Sequence, residues 1–355
     1  MVYVNPDIEN LYRVKCTDDR SKVLRLDMNE NPIGLPAEFV NHVKEKITPE
    51  LLASYPMKEH LIDLIAEHNG IEHDNITLTA GSEEAMRLIF QCFGRRQSDL
   101  ITVFPTFEMY DVYSKMFGMR HKFIDYSDEF NVDADRIMDE IDEDTGMIIL
   151  LNPNSPIGTV FGKHDFERIL DKALSYNALV VIDEAYHYFY KNTEMELIKK
   201  YNNVIVLRTF SKLCSIAGLR IGYASGSKQL IKYIENAEST FNVSTVSILF
   251  ATEILQNPQL MKELENIEKK GHEWLAGTLK QMGYKVFSGE GNYVLFYPKM
   301  PSGQLVEELK KRNIWVRDYS KGVLNGWVRI STGDVDSMKR AVSAIQEVDK
   351  ENLER

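Results

Sequence analysis

Short apolar runs alternate with longer segments of helical spacing through the middle of this 355-residue chain. In Met147–Leu151 and Leu179–Ile182 every residue is apolar, as expected for strands that are buried on both faces of a sheet. Such strand–helix alternation predicts an α/β fold with a mostly parallel sheet that is covered by helices. The predicted strands are Ile76–Thr79, Leu100–Phe104, Lys122–Tyr126, Met147–Leu151, Ala178–Asp183, Val204–Phe210 and Ile221–Ala224.

The pattern changes after about residue 265. A long helical stretch, Gln256–Gly283, is followed by short strand-like runs that helices separate, and this predicts a small α+β domain. The strand-like KVLRLDM (22–28) has no helix partner nearby, so we expect it to pack on that small domain. We therefore predict an N-terminal arm and small-domain strand in residues 1–40, a large domain in 41–265 and a small C-terminal domain in 266–355.

Composition excludes several classes of function. Asp and Glu total 53 against 42 Lys and Arg, a formal charge of −11, so neither nucleic acid nor a membrane surface is expected as a partner. The three cysteines form no C-x-x-C and the eight histidines show no metal-binding spacing, so no disulfide framework and no metal site is predicted. The N-terminus does not resemble a signal peptide, and we expect a cytoplasmic protein.

Two segments with reactive side chains follow apolar strands. In ALVVIDEAY the strand ends in Asp183 and Glu184, which could hold a metal, pair with a cationic ring nitrogen or simply cap a helix. In TFSKLCSIAGLR, Lys212 is flanked by hydroxyl residues and followed by Arg220. A lysine just past a buried strand can become a nucleophile, and hydroxyls with an arginine form a phosphate site.

Two further segments also follow predicted strands. LNPNSPIGT (151–159) contains two prolines that favour an extended turn with polar side chains at the sheet edge. TAGSEE (79–84) leaves backbone N–H groups free at a helix start, which is either an anion site or a plain capping box. All four segments can converge at one edge of the sheet. A lysine nucleophile, a carboxylate and two phosphate-binding elements together match pyridoxal phosphate (PLP).

At these residues the sequence resembles the fold-type I PLP-dependent aminotransferases of class I/II, and within them the histidinol-phosphate aminotransferases. The resemblance implies a large domain with a mostly parallel seven-stranded sheet and a small α+β domain. The motifs that carry it are NENPIG (29–34), SYP (54–56), TAGSEEA (79–85), FPTFEMY (104–110), NPNSPIG (152–158), VIDEAY (181–186), TFSK (209–212), AGLRIGY (217–223), FNVS (241–244) and VRISTG (328–333).

The resemblance implies a role for each cofactor-site residue. Lys212 would bind the cofactor covalently and move the proton during the reaction, Asp183 would pair with the pyridinium nitrogen, and Tyr186 would hydrogen-bond the ring hydroxyl. Phe107 would stack on the ring. The other cofactor-binding residues implied are Ser82, Glu83, Asn154, Ser155, Thr209, Ser211 and Arg220, together with Tyr55, which would reach the cofactor phosphate of the neighbouring subunit in a homodimer.

The substrate side of the site is also implied by the resemblance. Arg329 would bind the substrate carboxylate or its replacement, and Arg317 would lie near the substrate phosphate. Asn29 and Tyr12 would also contact the substrate. The reaction implied is transfer of an amino group between L-glutamate/2-oxoglutarate and a small phosphorylated substrate, with histidinol phosphate and imidazole acetol phosphate as the default pair.

The sequence departs from the family pattern around the substrate. The usual N-P-N-N-P-T-G reads NPNSPIG, so Ser155 replaces an asparagine that contacts the ring hydroxyl, and Asn154 is a candidate to compensate. Tyr12 matches a substrate-covering Pro-Tyr segment only loosely. Three alternatives therefore stay open: an aminotransferase for another phosphorylated ketone, an O-phospho-amino-acid decarboxylase of the threonine-phosphate or serine-phosphate type, and a non-catalytic protein on this fold.

Overall fold

The computed structural model describes residues 2–9, 11 and 19–354. Its strands are β1 Leu24–Arg25, β2 Ile76–Thr79, β3 Asp99–Phe104, β4 Arg120–Asp125, β5 Thr145–Leu151, β6 Leu179–Asp183, β7 Val204–Thr209, β8 Gly222–Gly226, β9 Lys285–Phe287, β10 Tyr293–Tyr297, β11 Ile314–Trp315, β12 Arg317–Asp318 and β13 Val328–Ser331. Its α-helices are α1 Pro6–Glu9, α2 Ala37–Glu45, α3 Pro49–Ala53, α4 Glu59–Asn69, α5 Ser82–Phe93, α6 Met109–Met116, α7 Ala134–Asp139, α8 Lys163–Ser175, α9 Lys228–Ala237, α10 Thr245–Leu255, α11 Pro258–Gln281, α12 Ser302–Lys311 and α13 Val335–Leu353.

A seven-stranded sheet in the order β2-β8-β7-β6-β5-β3-β4 forms the large part of the molecule. Neighbouring strands from β7 to β4 run parallel, and β8 is antiparallel to both of its neighbours. Each predicted strand overlaps one of these seven strands, so the prediction of an α/β fold with a mostly parallel sheet is confirmed. The antiparallel direction of β8 was not predicted, because the apolar pattern of a buried strand is independent of its direction.

The sheet is buried on both faces because successive side chains of each strand enter different clusters. In β7, Val204 and Val206 belong to the cluster that contains α4 and α8, whereas Ile205 and Leu207 belong to the cluster that contains α5. All four side chains are fully buried. Burial of each such side chain is worth about 1.5–3 kcal/mol, which explains why nearly continuous apolar runs mark these strands in the sequence.

A second, smaller unit is built on the antiparallel sheet β12-β13-β10-β9. The N-terminal strand β1 pairs in parallel with β11, where Leu24 lies opposite Ile314. Leu24 and Leu26 are buried in the same cluster as Val294 and Ile345. The N-terminal segment therefore packs on the C-terminal part of the chain.

Helix α11 links the two parts of the molecule. It begins after Asn257, whose side chain accepts a hydrogen bond from the Leu260 amide, a typical N-cap. Leu264 near its start packs in the large cluster, and Leu275 near its end packs in the small one. The predicted boundary at residue 265 lies inside this continuous helix, and the division into domains stays a prediction. Within the described part of the chain, no helix is both long and apolar enough to cross a bilayer.

Candidate active site

The polar segments that follow the strands converge at one edge of the large sheet. The strand register aligns Leu151 with Asp183, and aligns Thr79 and Thr209 with Gly222 from opposite sides. A Cβ atom at Gly222 would lie only 2.9 Å from the Ser82 nitrogen. Gly222 therefore allows the first turn of α5 to approach the ends of β7 and β8 closely.

Asp183 is a buried carboxyl group at the end of β6. It is 3% exposed, Oδ2 accepts a hydrogen bond of 2.9 Å from the Tyr110 hydroxyl, and Oδ1 accepts one of 3.0 Å from the Ala185 amide. Burial raises the pKa of Asp183 to about 6, although these hydrogen bonds and the charge of Lys212 act in the opposite direction. A carboxyl group in this state would be stabilised as an anion by a cation placed beside it.

Lys212 extends from the loop after β7 toward the same edge. Its Nζ donates a hydrogen bond of 3.2 Å to the carbonyl oxygen of Met28 and lies 5.4 Å from the centre of the Tyr186 ring. The side chain is half-buried. An amine that is held beside a buried carboxyl group and a phenol ring is placed for covalent and proton-transfer chemistry.

An anion-binding cradle lies at the start of α5. The N-cap residue Gly81 has a φ of +79°, and a Cβ atom there would lie 2.8 Å from Arg220 Nη2. Arg220 Nη1 also donates a hydrogen bond of 3.4 Å to Ser211 Oγ, which accepts a 2.9 Å hydrogen bond from the Thr209 hydroxyl. Free backbone N–H groups at a helix start, together with a guanidinium and hydroxyls, suit a phosphate group. Ser82 and Glu83 form the first turn of this helix.

Tyr186 lies near Lys212 at the same edge and is 6% exposed. Its hydroxyl oxygen accepts a hydrogen bond of 2.8 Å from Asn29 Nδ2, which is also 3.4 Å from Ser155 Oγ. Asn154 does not take part in this contact. Its Nδ2 donates to the Pro105 carbonyl oxygen at 3.0 Å, and its Oδ1 accepts from the Thr106 hydroxyl at 2.7 Å.

Phe107 begins the turn before α6 and is 40% exposed. Its ring meets the Tyr110 ring edge-on, with 5.5 Å between the ring centres. Tyr110 also donates the hydrogen bond to Asp183, so Tyr110 connects the Phe107 ring with the buried carboxyl group. An exposed aromatic face at this position is free to cover a planar ligand.

Two arginines face each other on neighbouring strands, because Arg317 of β12 is paired directly with Arg329 of β13. Arg329 is 9% exposed, donates to Ser155 Oγ at 3.3 Å and to the Asp27 carbonyl oxygen at 2.6 Å, and its Nε has no hydrogen-bond partner in the described chain. Arg317 forms an ion pair of 3.0 Å with Glu108. The pair thus offers one buried and one half-exposed cation for a ligand with two anionic groups.

Two candidates, Tyr55 and Glu184, lie away from this cluster, and the structure does not describe a third. Tyr55 is 74% exposed and stacks on Phe241, with 4.2 Å between the ring centres. Tyr12 lies outside the described residues. Glu184, next to Asp183, points to the other face of the sheet and forms a buried ion pair of 2.8 Å with Arg208.

Sequence reasoning missed several contacts that hold the site together. Tyr110 binds Asp183, and the Tyr293 hydroxyl donates a hydrogen bond of 2.8 Å to the Asn154 carbonyl oxygen. Tyr110 stands three positions after Phe107 in the motif FPTFEMY, so helical spacing was the signal available for it. Tyr293 comes from β10 of the small unit, and no local pattern links it to residue 154.

Comparison with known proteins agrees with this geometry. The family model described as aminotransferase class I and II matches residues 21–345. The histidinol-phosphate aminotransferase of Thermoanaerobacter pseudethanolicus is 31% identical over 328 residues, which cover 91% of this chain and 92% of the relative.

Solved structures share the fold over nearly the whole chain. A histidinol-phosphate aminotransferase from Sinorhizobium meliloti, in complex with pyridoxal-5'-phosphate, has a TM-score of 0.87 and 21% identity, and 98% of each chain is covered. The L-threonine-O-3-phosphate decarboxylase of Porphyromonas gingivalis has a TM-score of 0.78 and 22% identity, with 92% of this chain and 100% of that chain covered. The predicted resemblance is confirmed, and the chain belongs to the class I and II aminotransferase family.

Proposed function

We propose that this enzyme is a PLP-dependent aminotransferase that moves an amino group between L-glutamate/2-oxoglutarate and the pair histidinol phosphate/imidazole acetol phosphate. The observation that carries the proposal is the meeting of Lys212, the buried Asp183 carboxyl group and the Arg220 cradle at one sheet edge. The substrate pair follows the relatives at about 31% identity.

Two features of the site fit the cofactor. The pKa of Asp183 is raised to about 6, chiefly by burial, so a cationic ring nitrogen would stabilise its ionised form. At the cradle, a Cβ atom at Gly81 would contact the Arg220 guanidinium, so the glycine keeps room for an anion beside the arginine. A planar cation and a phosphate on one molecule satisfy both features.

Each side chain then has a defined role. Ser211, Arg220 and Thr209 hold the phosphate together with the first-turn amides of Ser82 and Glu83. Asp183 binds the ring nitrogen, and Tyr110 keeps the carboxyl group oriented through its hydrogen bond of 2.9 Å. Phe107 covers the ring face.

Bound PLP supplies an electron-poor ring that takes up charge from the reacting carbon. Asp183 would keep the proton on the ring nitrogen, and Tyr186 would donate its hydroxyl proton to the ring hydroxyl group. Lys212 would hold the cofactor covalently in the resting enzyme. Once the amine of the substrate has displaced it, its free Nζ would carry the proton from one reacting carbon to the other. Burial of Asp183 and Tyr186 excludes water from these contacts, which strengthens them.

The arginine pair selects the substrate. Arg329 binds the carboxylate of glutamate or the anionic group that replaces it, because its unpartnered Nε offers a buried donor. Arg317 binds the phosphate end and exchanges its surface ion pair with Glu108 for that contact. A surface ion pair is worth little, so the exchange costs little free energy.

The active enzyme is a homodimer in this proposal. Tyr55 is strongly exposed, it stacks on Phe241, and the neighbouring Leu52 and Met57 are 61% and 81% exposed. Exposed apolar side chains grouped in this way are typical of an interface. A second copy of the chain would cover them and receive Tyr55 at its cofactor phosphate.

The test is a visible absorption scan of the purified protein after reconstitution with PLP, followed by addition of L-glutamate. We expect a cofactor band that L-glutamate removes and that imidazole acetol phosphate restores. Lys212→Ala serves as the control without the covalent link, and light scattering of the same sample measures the oligomer.

Three outcomes would contradict the proposal. A protein without a band does not bind the cofactor. A band that ignores L-glutamate, combined with CO2 release from O-phosphothreonine or O-phosphoserine, would identify a decarboxylase. Restoration by a different phosphorylated ketone but not by imidazole acetol phosphate would keep the aminotransferase and replace the substrate.

A further inference from the structure

Asn29 is a buried polar residue of the site whose backbone and side-chain polar groups all form hydrogen bonds. It is 1% exposed and has a φ of +57°. Its backbone N–H donates to Ser331 Oγ at 2.8 Å, and its carbonyl oxygen accepts from Asn292 Nδ2 at 3.1 Å. Its side chain contacts Tyr186 and Ser155 of the large unit, so this one residue joins the two units of the molecule at the site.

The Asn29 amide presents its Nδ2 end to Tyr186. Ser331 Oγ accepts a hydrogen bond from the Asn29 backbone N–H and donates its own proton to Asn29 Oδ1 at 3.0 Å. Nδ2 donates to the Tyr186 oxygen at 2.8 Å. Because the tyrosine oxygen acts as acceptor in this contact, the tyrosine proton stays available for another acceptor.

The side chains on the NPNSPIG loop provide no amide donor to Tyr186, although the Ser155 hydroxyl hydrogen-bonds this tyrosine. Ser155 has a hydroxyl where the family has an amide, and it accepts hydrogen bonds from Asn29 and Arg329. Asn154, a candidate to compensate, has both ends of its amide bound to the loop before α6. The amide that reaches Tyr186 comes instead from the N-terminal segment, 126 residues before Ser155.

We propose that Asn29 is a positioning residue for the cofactor site, which supplies the amide donor that Ser155 lacks and keeps the Tyr186 proton directed at the ring hydroxyl of the cofactor. The inference rests on the proposed function and concerns how this chain orients Tyr186. The resemblance had implied that Asn29 contacts the substrate, whereas its side-chain atoms are committed to the protein.

Electrostatics supports this role. Burial alone would raise the pKa of Tyr186, but the charges of Lys212 and Arg329 lower it. Hydrogen bonds from Ser155 and Asn29 lower it further, and the pKa lies below its ordinary value. A more acidic hydroxyl is a stronger donor, so loss of the Asn29 contact would weaken the bond from Tyr186 to the cofactor.

The test is a pH titration of the visible absorption of the substrate-free holoenzyme. The midpoint of this titration is the pH at which the Lys212 nitrogen loses its proton. It falls when hydrogen bonds stabilise the ionised oxygen of the ring hydroxyl. Asn29→Gly removes the amide and tolerates the positive φ, and we expect its midpoint to rise by about 0.5 pH unit or more, roughly threefold in the equilibrium. Asn31→Gly, two positions along the same segment, is the matched control and should leave the midpoint unchanged, because Asn31 binds Ser215 and Gly34 instead.

Two further variants connect the effect to Tyr186. In a Tyr186→Phe background, Asn29→Gly should move the midpoint no further, since coupled residues are not additive. Adding Ser155→Asn to Asn29→Gly should return the midpoint toward that of the unaltered chain. If Asn29→Gly does not fold, the isosteric variant Asn29→Asp replaces it, because Asp keeps the Ser331 contacts. Its carboxylate accepts the Tyr186 proton instead of donating to the tyrosine, so it should raise the midpoint more. Asn31→Asp is its control.

Each remaining outcome overturns a defined statement. An unmoved midpoint in both Asn29 variants, or an equal shift in the Tyr186→Phe background, overturns the role of Asn29 and leaves the proposed function intact. If Ser155→Asn does not restore the midpoint, the claim that Asn29 supplies the amide donor missing at position 155 is overturned. Absence of a cofactor band in the unaltered chain overturns the proposed function and this inference together.

Discussion

Strands β6 and β7 carry buried polar clusters on both faces of the sheet, and the two clusters differ in how their charges are satisfied. Two adjacent residues belong to different clusters. Asp183 points to the candidate active site, and Glu184 points to the opposite face, where it meets Arg208. Side chains alternate across a strand, so a single pair of neighbours in the sequence serves two unrelated environments.

The cluster around Arg208 is closed. Arg208 is 3% exposed; its Nε donates to Glu184 at 2.9 Å, Nη1 to Asn69 at 2.6 Å and Nη2 to Thr193 at 2.6 Å. Glu184 also accepts a hydrogen bond of 2.6 Å from the Glu194 amide. Every charged atom of the pair thus has a partner inside the chain, as a structural ion pair requires.

The cluster around Asp183 is open. Within the residues that the structure describes, neither Asp183 nor Lys212 has an ion-pair partner within 4.0 Å, and the Nε of Arg329 has no hydrogen-bond partner. These groups are ready to bind an external ligand of complementary charge. A cavity of about 1000 Å³ borders Arg208 and not Lys212. The candidate active site is therefore distinguished by its unsatisfied charged groups and not by a position beside this cavity.

The largest effect expected is that of Lys212→Ala. Removal of the amine should lower kcat/KM by roughly 10⁴-fold and abolish the visible cofactor band, because both the covalent link and the proton carrier are lost. Lys228→Ala is the control, since Lys228 forms a surface ion pair with Glu72. Steady-state kinetics with imidazole acetol phosphate and the absorption spectrum measure the result. Substantial turnover in the Lys212 variant would remove the open cluster from the mechanism.

The closed cluster should respond in stability and not in catalysis. Arg208→Met leaves the Glu184 carboxylate buried without its partner, and we expect a loss of about 3–5 kcal/mol in the free energy of unfolding. The kcat of the folded fraction should stay near that of the unaltered chain. Urea unfolding followed by circular dichroism measures the first quantity and active-site-normalised kinetics the second.

A matched variant on the surface calibrates this result. Arg168 and Asp135 form an exposed ion pair, and Arg168→Met should cost less than about 1 kcal/mol. Equal losses in the two variants, or a fall in kcat with Arg208→Met at unchanged stability, would mean that the pair at Glu184 is not a closed structural element.

The open cluster was largely predictable from the sequence and the closed one was not. Asp183 and Lys212 follow strongly apolar runs, and such residues meet at the carboxyl edge of a parallel sheet. Arg220 lies in the segment between β7 and β8 that also contains Lys212. Whether Glu184 joins Asp183 or turns away depends on side-chain alternation, and the sequence pattern marks its partner Arg208 only as part of a strand. The apolar pattern of a strand predicts which residues are buried, but it does not predict the partner of a buried charged side chain.

Long-range contacts limited the prediction of the site further. Asn29 reaches Tyr186 over 157 residues and Ser331 over 302 residues, and no local spacing encodes such contacts. The short strands β11 and β12 lie in different sheets although only Val316 separates them. The direct opposition of Arg317 and Arg329 follows from that division and from the register of β13.

Arg329→Ala tests the open cluster at its substrate side. Loss of a buried charged donor should weaken binding of L-glutamate by about 2–3 kcal/mol, seen mainly as a raised KM. Arg317→Ala, at a side chain that is 36% exposed, should raise KM for the phosphorylated substrate by a smaller factor and leave KM for L-glutamate unchanged. Reversal of these preferences would exchange the two assignments, and unchanged kinetics in both variants would exclude the pair from the pocket.

The smallest effect concerns one uncompensated acid on the closed side. Glu268 of α11 borders the large cavity, is 8% exposed and is hydrogen-bonded by the Thr332 hydroxyl. Burial raises its pKa from the ordinary value of 4.5 to about 7. The folded chain therefore binds this proton more tightly than the unfolded chain, so the contribution of Glu268 to stability is present below pH 4.5 and is lost as the pH rises to about 7.

Glu268→Gln stays neutral at every pH and should remove this dependence. We expect no change in the free energy of unfolding at the acidic end of that range and a gain of about 1–2 kcal/mol at pH 8, measured by urea unfolding at both pH values. Glu273→Gln, at a side chain on the same helix that is 65% exposed, should change stability by less than about 0.5 kcal/mol at either pH. A loss of stability at pH 8 in the Glu268 variant would mean that the carboxylate has a binding partner there, and the cavity side would then count as a second open cluster.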